Sequence, residues 1–250
     1  MKKTLSTVLL SALLVGTLTS CGGSTESSAN ELGLIEDGKL YVATNPTYAP
    51  FEYMEGTEMV GFDIDLLNEI AALSGLEVEY TALDFDTIIP AVQSGQYDLG
   101  MSGFSVTEER KEQILFSDTY YSSSQVALLP GDSAFTSVDE LEGLKLGAGL
   151  GTTGEGVATD LSDDTTFVDT DVALPMLLTG QLDAYICDFG VAQNAVATGN
   201  YSMIEEPIQS EEMAMTLKKG NDALANELNK SLAEFMATDA YQELLDKYGL

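Results

Sequence analysis

Histidine is missing from all 250 residues. Its absence removes Ser-His-Asp and Cys-His catalysis together with the commonest metal ligand. Cysteine is nearly missing too. Cys21 and Cys187 are the only two, too few for a disulfide framework or for a thiolate zinc site built from one chain. Positive charge is scarce, with 10 Lys and Arg against 41 Asp and Glu and a formal net charge of -31. Nucleic acid is therefore excluded as a partner, because neutralising phosphates needs Lys and Arg. What remains is globular material: 44% of the residues are hydrophobic, enough at this length for a sizeable core and one or two domains.

Lys2 and Lys3 precede an apolar segment from Val8 to Leu18, and Leu18-Thr19-Ser20-Cys21 ends it. The segment is shorter than the ~20 residues of a membrane-spanning helix, so residues 1–20 read as a signal peptide. Leu-Thr-Ser-Cys resembles the lipobox of bacterial lipoproteins. That resemblance implies that Cys21 becomes the first mature residue and carries a diacylglyceryl thioether; an ordinary signal peptide that happens to contain a cysteine is the other reading. Residues 21–36 then hold the anchor and a tether, since Gly22 to Asn30 is rich in Gly and Ser with no apolar pattern. The expected location is extracytoplasmic, lipid-anchored to the membrane, at the cell surface or in the periplasm.

From Lys39 onward strand and helix patterns alternate. Lys39 to Thr44 reads as a strand that ends in a loop from Asn45 to Phe51, where Pro46 and Pro50 oppose regular structure. Phe62 to Ser74 carries Ile64, Leu67, Ile70 and Ala71 at helical spacing, and Gly75 closes it. A strand at 77–81, a short helix at 87–93 and a strand at 97–101 follow. A second series has strands at 125–129, 145–149, 166–168 and 183–187, with helices from Thr152 and at 172–178; Asp188-Phe189-Gly190 reads as a turn, followed by a helix to Ala197. A strand at 214–217 and helices at 223–236 and 240–248 complete the chain. Such alternation predicts a parallel α/β sheet, whose ligands bind at the carboxyl ends of the strands.

Ser102-Gly103-Phe104-Ser105-Val106-Thr107-Glu108-Glu109-Arg110 joins one strand exit to a helix start. Gly103 permits close approach of the backbone. Ser105 or Thr107 can cap the helix, and Glu108 and Glu109 suit its first turn. Arg110 does not suit it, because a cation there opposes the helix dipole. A bound carboxylate gripped by the planar guanidinium explains the position; a surface pair with Glu108 or Glu109 is the alternative.

Gly149-Leu150-Gly151-Thr152-Thr153-Gly154 matches the dinucleotide fingerprint in outline, with Asp169 near the end of the next strand. The unit ends near Met213, too early for a full dinucleotide domain. The same amides at a helix start serve a smaller anion such as a carboxylate equally well.

Five segments together resemble the solute-binding family 3 of ABC importers: Thr47 to Glu52, Gly61 to Asp65, Phe85 to Pro90, Ser102 to Arg110, and Phe116 to Tyr121. The resemblance covers Lys39 to Leu250. It implies a two-lobed periplasmic-binding-protein-like α/β fold with a hinge of two crossing strands, lobe 1 being 37–121 with 214–250 and lobe 2 being 122–213. The hinge is expected near Tyr120–Ser124 and Glu211–Met215. By the same resemblance Arg110 takes the ligand α-carboxylate, assisted near Gly103, Ser105 and Thr153, with Ser102 beside them. Asp188 takes the α-ammonium with Ser105 and the Gly103 carbonyl. Tyr48 and Phe85 sandwich the ligand side chain, and Asn45 and Cys187 line its pocket. Read singly, Asp188 is a helix cap, Tyr48 and Phe85 are core aromatics and Cys187 is a small buried hydrophobe.

A zwitterion needs one fixed cation and one fixed anion, and Arg110 with Asp188 supplies both. The expected function is a non-enzymatic component that captures a polar amino acid and passes it to membrane permease subunits, as a monomer and without cofactor or metal. Asn45 can donate and accept but cannot neutralise a cation, so a neutral polar side chain is expected. A basic amino acid is the alternative if Glu52, Asp84 or Asp86 reaches the pocket. An enzyme resembling cyclohexadienyl dehydratase, with a cleft carboxylate as acid or base, is the competing class.

Overall fold

A computed structural model describes residues 30–250, so Cys21, the signal segment and most of the tether lie outside the described residues. A short 3-10 turn at Asn30–Leu32 leads into β1 (Lys39–Thr44), β2 (Thr47–Tyr48), β3 (Glu52–Glu55), β4 (Glu58–Val60), α1 (Phe62–Leu73), β5 (Glu77–Ala82), α2 (Phe85–Ser94) and β6 (Leu99–Gly100). Next come α3 (Glu108–Gln113), β7 (Leu115–Pro130), β8 (Leu146–Ala148), α4 (Thr153–Leu161), β9 (Thr165–Phe167), α5 (Thr170–Leu178) and β10 (Ala184–Asp188). The chain ends with α6 (Phe189–Val196), β11 (Tyr201–Leu217), α7 (Asp222–Met236) and α8 (Asp239–Tyr248). Among the described residues no helix is long and apolar enough to cross a membrane.

The main sheet runs β5-β1-β6-β11-β7-β10-β8-β9. β5, β1 and β6 are parallel, as are β10, β8 and β9. Among the described residues the two parallel sets meet only through β7 and β11, which pair antiparallel from Leu115 opposite Leu217 to Pro130 opposite Tyr201. These strands have 16 and 17 residues, which at ~3.3 Å per residue reach ~50 Å, far enough to serve both halves. Their register shifts between Ile204 and Gln209 and twice more between Met213 and Thr216. The segments expected to form the hinge therefore lie side by side, with Glu211 opposite Ser123 and Met213 opposite Tyr121.

Strand alternation divides each core into two faces. Leu40 and Val42 of β1 pack with Leu66, Leu67 and Ile70 of α1, whereas Ala43 points the other way onto Ile88, Val92 and Phe104. In the second half Leu146, Ala148, Ala184 and Ile186 close on Val157 and Ala158 of α4. Side-chain caps start α3 and α4: Thr107 accepts from the Arg110 amide at 3.1 Å, and Thr152 accepts from the Glu155 amide at 3.2 Å.

Three elements differ from the sequence reading. The Asn45–Phe51 loop is partly strand, because β2, β3 and β4 form a small antiparallel sheet of their own. The strand expected at 125–129 extends back to Leu115, and the one expected at 214–217 begins at Tyr201. Gly61, which follows β4, has φ 136°, and a Cβ there would lie 2.1 Å from the Phe51 carbonyl oxygen. Only glycine lets the small sheet fold back against α1 at that point.

Candidate functional site

The carboxyl ends of β1, β6, β8 and β10 converge on one cleft with about 460 Å³ of space not filled by atoms, part of it continuous with solvent. Asn45, Tyr48, Phe85, Ser102, Gly103, Ser105, Arg110, Thr153 and Asp188 all line it. Cys187 does not. It is 2% exposed and packs in the main core beside Val191, because its neighbour Asp188 takes the cleft-facing place at the end of β10. The expectation that its thiol lines the side-chain pocket is corrected accordingly; burial pushes that thiol well above its usual range.

Arg110 is buried at 8% exposure and is not a surface ion pair. Its Nη1 donates to the Ser105 carbonyl at 2.8 Å and its Nη2 to the Gly151 carbonyl, across the cleft, at 2.9 Å. The guanidinium lies 5.5 Å from the ring centres of both Phe85 and Phe104, which stack on each other at 4.5 Å. Glu108, the other proposed partner, pairs with Lys111 at 2.8 Å instead. Desolvation lowers the Arg110 pKa, opposed by the charges of Glu211, Asp188 and Glu109. Among the residues lining the cleft Arg110 is the one cation, and its hydrogen-bond partners are neutral carbonyls.

Asp188 precedes α6 but makes no capping bond. Its Oδ2 accepts from the Tyr48 hydroxyl, and that hydroxyl accepts from the Asp188 amide at 3.1 Å. Its Oδ1 is buried without a partner. Burial first, and the nearby Glu211 charge second, raise its pKa to about 7. An acceptor of this kind is matched by a cation.

Beneath the Ser102-Gly103 loop lie two wholly buried carboxyls, Glu52 and Asp63. Ser102 donates to Glu52 at 2.6 Å and accepts from the Asn45 amide at 3.1 Å. Asp63 accepts from the Gly103 amide at 2.9 Å and from the Tyr120 hydroxyl at 2.8 Å. Burial raises both carboxyls, Asp63 to about 6 and Glu52 well above its usual value with Asp63 adding to the rise. Burial and mutual repulsion disfavour two negative charges on this pair at once. Gly103, at φ 57°, faces the Tyr48 ring, which a Cβ would meet at 3.6 Å.

The sequence reading missed Thr47, Gly149, Thr152, Asp169, Thr170 and Tyr185 as lining residues. Asp169 is the consequential one. The Asn45 amide donates to it at 3.3 Å from the opposite wall, and its pKa is raised by burial and by Asp171, Asp84 and Asp86. Asp169 did stand out in the sequence, but as the acid of a dinucleotide fingerprint. Asp84 and Asp86 do not line the cleft, and Glu52, which does, has its pKa raised by burial and by the neighbouring Asp63. Among the described residues no group of three or more Cys, Asp or Glu is placed to hold a metal ion.

The model of the bacterial extracellular solute-binding proteins, family 3, matches residues 40–250. An arginine-binding extracellular protein of Bacillus subtilis (strain 168) is 32% identical over 249 residues, covering 96% of each chain. An ancestral arginine-binding protein solved with arginine superposes at a TM-score of 0.79 with 34% identity, covering 84% of this chain and 98% of its own. An ancestral arginine-binding protein solved with glutamine gives 0.79 and 33%, covering 85% and 98%.

Proposed function

The chain belongs to the bacterial extracellular solute-binding proteins of family 3, and from that premise we propose that it captures one free amino acid with a cationic side chain between its lobes and delivers it to an ABC permease. Residues 37–121 with 214–250 form one lobe in this reading and 122–213 the other. Arg110 grips the α-carboxylate, and Asp188 receives the α-ammonium. Tyr48 and Phe85 flank the side chain, with Ser102, Gly103, Ser105 and Thr153 completing the polar frame. The activity is binding and transport, not catalysis: the cleft carboxylates are matched to the charges of a zwitterion.

The observation that carries the choice of side chain is Asp169. Once Arg110 and Asp188 are assigned to the two ends of a zwitterion, Asp169 is a surplus carboxylate, and three further acids raise its pKa. Burying it against a ligand without a compensating charge is costly, so an ammonium or guanidinium is favoured there. One observation supports the neutral polar side chain expected from Asn45: the Asn45 amide already donates to Asp169. A relative solved with glutamine shares the fold. Competition titration separates the two readings. Arginine is expected to bind tighter than glutamine by about tenfold or more, a gap of ~1.4 kcal/mol, and Asp169→Asn should erase most of that gap. Glutamine displacing arginine from the unaltered protein would establish the neutral reading instead.

Cys21 is proposed as the lipid anchor, with two acyl chains giving stable attachment. The intact mass of protein from its native host should show a diacylglyceryl-modified Cys21 terminus; an unmodified one would refute the anchor.

A further inference from the structure

Glu211 lies on the crossing strand β11, 7% exposed and not part of the cleft lining. Three donors converge on its carboxylate: the Ser105 hydroxyl at 2.6 Å and the Gln125 amide at 3.0 Å on Oε2, and the Gln209 amide at 2.9 Å on Oε1. The strand pairing fixes its place, opposite Ser123 of β7. A bridge between Ser105 and Met213 ties the Ser105 loop to the same strand. A carboxylate has no proton to return, so the Ser105 hydroxyl is committed as a donor and only its lone pairs remain for the cleft. The Thr153 hydroxyl on the opposite wall stands 3.5 Å from Ser105 Oγ, beyond strong hydrogen-bond range. A buried carboxylate is costly unless its charge is used. Glu211 is placed to use it, because its charge favours the charged form of Arg110 and disfavours a second anion at Asp188 until a cation arrives.

We propose that Glu211 is the positioning residue for the ligand's α-ammonium: by accepting the hydrogen bond of the Ser105 hydroxyl it makes Ser105 Oγ an obligate acceptor for the cation that Asp188 receives. The inference rests on the amino-acid reading of the cleft and extends it to a residue that does not touch the ligand. A purely structural role, tying β11 to the Ser105 loop, would weaken every ligand alike. Positioning of the ammonium weakens only ligands that possess one.

The test is calorimetric titration of the intact protein with L-arginine and with 5-guanidinopentanoate, which keeps the carboxylate and guanidinium but lacks the α-amino group. Glutamine and glutaramate form the matching pair should glutamine bind more tightly. Glu211→Gln is expected to weaken the amino acid about tenfold or more, equivalent to ~1.4 kcal/mol, and to change the desamino analogue less than about twofold on the same scale. Glu211→Asp, which keeps the charge but withdraws it from Ser105, should give the same selective loss. Adding Glu211→Gln to Ser105→Ala should cost little beyond Ser105→Ala alone, because the two act as one unit. Equal losses for both ligands, no loss for either, or additive losses in the double variant would overturn the role. An unaltered protein that binds no amino acid would contradict the proposed function itself, before any variant is compared.

Discussion

Arg110→Ala is expected to weaken amino-acid binding by ~3–5 kcal/mol, the cost of removing one partner from a buried charge pair, or roughly two to three and a half orders of magnitude. The cleft lining offers no other cation to the ligand carboxylate. The loss should not extend to the fold. Arg110 bonds to the Ser105 and Gly151 carbonyls at the cleft, and the cores on either side contain none of its atoms. Arg110→Lys should recover only part of the loss, since an ammonium cannot give the planar two-pronged grip. Calorimetry reads both variants. Near-wild-type affinity in Arg110→Ala would place the carboxylate elsewhere.

Asp188→Asn should cost ~2–5 kcal/mol, as for truncating one partner of a buried charged pair, and it should also change the shape of the pH profile. Burial, with the Glu211 charge second, raises the Asp188 pKa to about 7. Below that value the residue holds a proton and must release it to receive an ammonium. Affinity should therefore rise with pH, by up to about tenfold per unit below pH 7, and level off above it. Stability without ligand runs in the opposite direction. A raised carboxyl contributes most below its unfolded value, and that contribution fades as pH climbs through about 7. The ligand should thus stabilise the protein more at pH 8 than at pH 5. Tyr48, Ser123, Gln125 and Glu211 all bear on Asp188, and Asp63, raised to about 6, titrates nearby. Asp188→Asn separates these contributions: the steep segment should vanish with it. A profile equally steep in the variant would assign the proton to the Glu52–Asp63 pair instead.

The parts of the fold that were legible in the sequence are those where local signals agree with global packing. The apolar spacing of α1, the Thr107 cap and the strand end at Thr44 all follow from residue type. The crossing strands were hidden because β11 between Glu205 and Glu212 is largely polar and mostly exposed, so neither period nor burial marks it as a strand. The small sheet of β2, β3 and β4 was hidden by two prolines, both of which fall outside its strands. In the site, Arg110 stood out because it broke a rule of helix chemistry, whereas Asp188, which alone reads as a helix cap, was singled out only through the family resemblance. Asp169 was not legible, since its meaning comes from Asn45 facing it 124 positions away. Glu211 was legible only as part of a hinge. Its charge acquires a role when Ser105 and Gln125, from two other segments, are brought to it. Cys187 illustrates the opposite error: proximity to Asp188 in sequence suggested the pocket, but adjacent residues of a strand face opposite sides.

Small-angle scattering of the protein with and without saturating arginine tests the central claim most directly, because capture between two lobes requires both a bound ligand and a closing hinge. Among the described residues, β7 and β11 are the only strands through which the two parallel sets of the sheet meet, so closure is expected as a rotation about that pair. The expected result is a smaller radius of gyration and a narrower distance distribution on adding arginine, absent in Arg110→Ala. A scattering profile unchanged by saturating arginine, glutamine or any other common amino acid would contradict the account.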